Sequence, residues 1–148
     1  MKQWIHRRGA LQLGLSWGIS MALPAARACE FRTDNLTVVH PWVRPTLVAT
    51  DLAMVSMGFK DVVERDRLLD ARTPLARRVV MAGKGDDGSI DFPIPAGEES
   101  ALTEQGIHLQ LQGVTIPLGL GSTFALRLLF EKAGPVEALL TVDYARFR

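Results

Sequence analysis

A single cysteine, Cys29, rules out an internal disulfide, so the chain must hold itself together by burial. Histidine occurs three times, and no methionine follows Met81. Any soft, sulfur-rich metal site therefore has little material to draw on in the second half of the chain. The longest apolar run, Ala10 to Leu23, is interrupted by Gly14, Ser16, Gly18 and Ser20. It falls short of the roughly 20 apolar residues that span a bilayer comfortably. Past residue 28 there is no Lys/Arg cluster, no sustained 3.6-residue apolar period with capping signals, no internal repeat and no low-complexity tract. Nucleic-acid binding is excluded as a class, because phosphate neutralisation by clustered cations supplies most non-specific affinity. Hydrolase signatures are missing too. There is no G-x-S-x-G, and "GLGST" (Gly119 to Thr123) lacks the second flanking glycine. Two histidines lie beyond the first 28 residues, His40 and His108, and neither has a serine and an acid marked as partners. The sequence is read as a non-enzyme.

The first 28 residues read as a signal peptide. Lys2, Arg7 and Arg8 make a positive start, the broken apolar run follows, and Ala26-Arg27-Ala28 offers small residues for cleavage. Arg7-Arg8 loosely suggests twin-arginine export. Removal of residues 1–28 would leave one domain, 29–148, in the periplasm, with no membrane span. It would also make Cys29 the first residue, which opens lipid anchoring as an alternative, although Ala26 is not the large aliphatic residue that lipoprotein signals favour three positions before the cysteine. The whole chain has 17 basic and 16 acidic residues; the leader holds four basic and none acidic, so 13 against 16 remain, a formal charge of −3.

Short strands and turns fill the rest. Strands are expected over Leu36–Arg44, Leu52–Lys60, Asp66–Ala71, Arg77–Ala82, Ile90–Ile94 and Gly106–Gln112, then Thr123–Glu131 and Val136–Arg146. Pro41 predicts an edge or a bulge in the first of them. In the last two, Phe124, Leu126, Leu128 and Phe130 alternate inward, as do Val136, Ala138, Leu140, Val142 and Tyr144. "KAGP" turns between them as a hairpin. Many strands at short spacing predict an all-β Greek-key sandwich or barrel.

"GKGDDG" (Gly83 to Gly88) matches G-x-G-x-x-G in letters only. Asp86 and Asp87 would repel a phosphate and no helix follows, so it reads as a hairpin loop whose acids are solvated. Glu98 and Glu99 fall in a turn. Met54 and Met57, three apart on a strand, face opposite sides, while Trp42 and Arg44 share one. In "GIHLQLQG" (Gly106 to Gly113) the apolar residues alternate with His108, Gln110 and Gln112. That polar row is either part of a metal site or the wet side of an ordinary strand.

Five stretches together resemble the periplasmic copper chaperones of the PCu(A)C family: "HPWVRPT" (His40 to Thr46), "DRLLDARTPLARRV" (Asp66 to Val79), "IPAGEE" (Ile94 to Glu99), "GIHLQLQGVTIPLGLG" (Gly106 to Gly121) and "FALRLLFEKAGPVEALLTV" (Phe124 to Val142). Their order and spacing cover nearly all of residues 29–148. The resemblance implies a cupredoxin-like Greek-key β-sandwich and a Cu(I) carrier that delivers copper towards respiratory oxidase assembly through a periplasmic acceptor. It also implies a site of two His and two Met, half of it an H-x-M on one strand. His108 keeps that His, but Gln110 stands where the Met belongs, and an amide oxygen is a hard donor for Cu(I). Where the family has "VELH" this chain has "VVMA" (Val79 to Ala82), which puts Ala82 at the other His position. The hairpin that holds the family's second Met is shortened. The expected site is thus degenerate: His108 remains, with Met81 as a second ligand after local rearrangement and Cys29 as a mobile soft donor. The alternative is a metal-free interaction or assembly module on the same scaffold.

Overall fold

The computed structural model describes residues 29–144. The signal-peptide reading of 1–28, the twin-arginine pair and the last residues of the final predicted strand lie outside them. Ten strands are present: β1 (Glu30–Arg32), β2 (Thr37–Val43), β3 (Leu52–Lys60), β4 (Asp66–Arg72), β5 (Arg78–Ala82), β6 (Phe92–Ile94), β7 (Ser100–Leu102), β8 (His108–Gln112), β9 (Thr123–Phe130) and β10 (Gly134–Val142). Their order is β5-β8-β3-β2-β10-β9-β4-β6, with β1 added beside β2 and β7 beside β3. The β2–β10 contact is parallel and short, Trp42 opposite Thr141 and Val43 opposite Val142; every other pair is antiparallel.

The strands form because their apolar residues fall at alternate positions and need one covered face. β9 buries Leu126, Leu128 and Phe130, and β10 buries Val136, Ala138, Leu140 and Val142. The sheet curls over on itself to bury these against Val55, Leu109 and Leu111 from β3 and β8. Phe59 of β3 sits 5.8 Å from Phe92 of β6 and 5.9 Å, edge-on, from Phe130 of β9, so the two halves share one core. The all-β, cupredoxin-like sandwich expected from the sequence is the fold observed.

Three local readings need correction or completion. Tyr144 does not continue the inward series; it is 56% exposed, because β10 ends at Val142. Pro41 is in a central strand, tolerated because the β2–β3 register shifts between Val39 and Trp42 and His40 adopts φ 43°. β1 and β7, three residues each, join the sheet without having been expected.

At the end of the sandwich where β4 begins, Asp66 is fully buried. Its carboxylate accepts from Asn35 Nδ2 (2.8 Å), Arg67 N (2.8 Å), Lys132 N (2.9 Å) and Ala133 N (3.0 Å). Burial alone would raise its pKa, but these donors outweigh burial and hold it below the usual carboxylate range. One side chain thereby fastens the turn after β1, the start of β4 and the β9–β10 hairpin.

Candidate metal centre

The site can be built from the β5–β8–β3 register. Ala82 stands directly opposite His108, Met81 opposite Leu109 and Val80 opposite Gln110. On the other side of β8, Leu109 pairs with Val55 and Gln110 with Met54. Continuing that ladder by one residue brings His108 opposite Ser56, which itself pairs with Trp42 of β2. Because side chains alternate across a strand, Ala82, His108, Gln110, Met54, Ser56 and Trp42 all occupy the outer face.

His108 is half-buried, and its Nδ1 lies 3.0 Å from the carbonyl oxygen of Gly106. With Nδ1 donating there, the proton is on Nδ1 and the Nε2 lone pair is left for a ligand or a metal. Gly106 is itself set by Gly83, whose φ is +88° and whose added Cβ would come 2.4 Å from the Gly106 oxygen. Only glycine fits there. The end of β5 is thus clamped against the carbonyl that orients the imidazole.

The other expected ligands are not brought to His108. Met81 is 2% exposed and points into the core, on the opposite face, as its register against Leu109 requires. Cys29 is half-buried, its carbonyl accepting from His40 N, with β2 and β3 between it and β8. Gln110 is tied to Gln112, whose Nε2 donates to its Oε1 at 3.1 Å. Met54, in contrast, is 40% exposed and faces outward beside this row; Met57 is in the core, as the three-residue spacing predicted. Met54 is a diagonal neighbour of His108 across β3 and β8, and such neighbours lie within reach of long side chains. Reading the sequence alone missed it because the pairing of β3 with β8 is non-local. Ser56, in the same row, is buried, and its hydroxyl has no hydrogen-bond partner among the described residues.

Three acids between residues 86 and 91 are occupied. Asp86 accepts from Gly88 N and Asp87 from Ser89 N, which keeps Asp87 below its ordinary pKa. Asp91 is bidentate with Arg67, at 3.0 and 2.7 Å, and is lowered by that guanidinium. Asp86 and Asp87 thus lie in the loop expected at Gly83 to Gly88. Arg44 stacks 5.8 Å over the Trp42 ring and grips Glu104 at 2.6 and 2.7 Å. Among the described residues, no group of three or more His, Cys, Asp or Glu could hold a metal ion.

The family model for LpqE-like lipoproteins matches residues 36–142. The chain belongs to the LpqE-like family. Among solved structures, this LpqE-like protein resembles the copper-bound PCuAC domain from PmoF2 at 23% identity and TM-score 0.67, covering 77% of this chain and 97% of that one. It resembles the apo PCuAC domain from PmoF1 at 22% identity and TM-score 0.69, covering 77% and 98%. The Cu(I) form of DR1885 from Deinococcus radiodurans matches at 21% identity and TM-score 0.57, covering 82% and 86%. These establish a shared fold with copper-binding PCuAC domains, as the sequence resemblance implied. No curated protein matches the chain significantly. None of the described residues forms a helix long and apolar enough to cross a membrane.

Proposed function

We propose that this LpqE-like protein is a periplasmic, copper chaperone-like carrier with a degenerate site, which holds Cu(I) loosely and passes it to an acceptor in respiratory oxidase assembly. The observation that carries the reading is the Ala82–His108 pair. Two residues at the cross-strand position where two imidazoles would meet offer one imidazole and one methyl group. Copper is the cargo here, and the donors that fit it are few. His108 presents Nε2, and Met54, rather than Met81, is the thioether that shares its face. A thioether and an imidazole suit Cu(I), but two donors on an open surface exchange it readily. Loose holding suits a protein that must give its metal away by ligand exchange.

The test is an NMR titration with Cu(I), using protein labelled at the Met methyls and the His ring. The His108 ring and the Met54 methyl should shift together in fast exchange, while Met57 and Met81 stay still. Movement of the Met81 methyl, or no response at His108, would refute the ligand assignment. The second reading, a metal-free assembly module, is favoured by Gln110, whose amide oxygen accepts from Gln112 Nε2. It predicts no response at any of these sites, together with a periplasmic partner that co-purifies regardless of copper supply.

A further inference from the structure

The two ends of the sandwich differ in chemistry. β2 runs into the 44–51 loop, β8 into the 113–122 loop, and β10 ends beside them; Thr46 N donates to Leu118 O and Gly113 N to Asp51 O, which ties the loops into one end. Of eleven exposed large apolar side chains among the described residues, six are here: Leu47 (100% exposed), Val48, Leu52, Ile116, Leu120 and Tyr144. Residues 113–122 contain no charge, and neither do 45–50; Arg44, Asp51, Arg77 and Arg78 flank them, all exposed. At the opposite end the turns 33–35, 61–65, 95–99 and 131–133 contain six carboxylates (one each from Asp34, Asp61, Glu64 and Glu131, with the Glu98–Glu99 pair) against Arg65 and Lys132. Val63 is the one large apolar side chain exposed there.

β1 is antiparallel to β2, so Cys29, beside His40, is on the side of β1 that leads towards the 44–51 loop. The residues before it carry the apolar run Ala10–Leu23.

We propose that this loop end docks on an anionic lipid bilayer, with Leu47, Val48, Ile116 and Leu120 dipping into the interface and the acidic end turned to the aqueous side. Three features select a bilayer over another protein. The apolar residues are on protruding loop tips rather than on a flat strand face. Three of the four exposed charges flanking them are basic, Arg44, Arg77 and Arg78 against Asp51, as interfacial binding to anionic lipid requires. Cys29, on the side of β1 that leads towards the 44–51 loop, is where an acyl chain would be attached, and such a chain would present these loops to the surface. The inference does not depend on the copper reading.

The test uses the exported protein with Cys29→Ser, so that no acyl chain contributes, and flotation with vesicles of equal parts phosphatidylglycerol and phosphatidylethanolamine. Leu47→Asp with Leu120→Asp should lower the bound fraction at least about tenfold, the direction set by replacing inserted apolar tips with charge. Val63→Asp, at the far end, should leave it unchanged. Both substitutions are at exposed positions, so circular dichroism should report the same fold. Equal flotation of the Leu47/Leu120 variant and the parent would overturn the proposal. So would a concentration-dependent dimer in the parent that the variant loses, since that would assign the patch to a second copy.

Discussion

If the outer face of β5 and β8 is a copper site that has lost its ligands, putting them back should restore it. Ala82 and His108 face each other directly in the antiparallel ladder, and Gln110 follows two residues on along the same face. Ala82→His with Gln110→Met would therefore set two more donors beside the His108 imidazole without moving the backbone. The structural cost is small. Ala82 is half-buried on an edge strand, and Gln110 loses one hydrogen bond to Gln112, worth about 1 kcal/mol. The gain follows from tethering. A donor already fixed near the metal binds at an effective concentration that raises overall affinity about 10²- to 10⁴-fold, or about 2.7–5.5 kcal/mol. Anaerobic competition against a Cu(I) chelator measures this directly. The double variant should withdraw Cu(I) from the chelator at least about a hundredfold better than the parent, and His108→Ala in that background should abolish the gain. An affinity within a factor of about three of the parent would refute the register argument, because the side chains would then not converge.

The remaining predictions concern the frame around that face. Asp66→Ala strands two hairpin N–H groups, that of Arg67 and the Asn35 amide, and should cost about 3–5 kcal/mol, lowering Tm by about 10–20 °C in a thermal melt. Because the folded pKa of Asp66 is depressed, its contribution is complete above the unfolded value near 3.9 and fades as pH falls through the lower folded value. The deficit of the variant should thus be flat near neutrality and shrink in strong acid; a deficit that grows on acidification would contradict this. Gly83→Ala drives a Cβ into the Gly106 oxygen at φ +88° and should cost at least about 1–3 kcal/mol in denaturant unfolding. It should also shift the His108 ring resonances, and an unchanged ring would mean that the clamp does not reach the imidazole.

The fold was legible where alternation is long. The stretch Leu52–Lys60 was placed at its observed bounds, β9 within one residue and the start of β10 within two, since each repeats its apolar face several times; the end of β10 was placed four residues too late. Strands of three residues offer no period to read, which is why "EFR" and "SAL" passed unnoticed. Pro41 foretold a bulge, but nothing local says that the bulged strand is central. At the site, His108, Ala82 and Gln110 could be aligned from the sequence, and the ladder places them on one face. Met81 could be ruled out from that face by alternation alone. Met54 could not be found, because its approach to His108 depends on a pairing between segments more than fifty residues apart.

The proposed function requires that a single imidazole with one neighbouring thioether make a loose cuprous site on an inherited scaffold. The most direct test is an anaerobic Cu(I) competition titration of the native protein beside its His108→Ala variant. Binding should be weak, stripped completely by a strong chelator, and should disappear with His108. Tight, stoichiometric retention of Cu(I), or retention indifferent to His108, would contradict it.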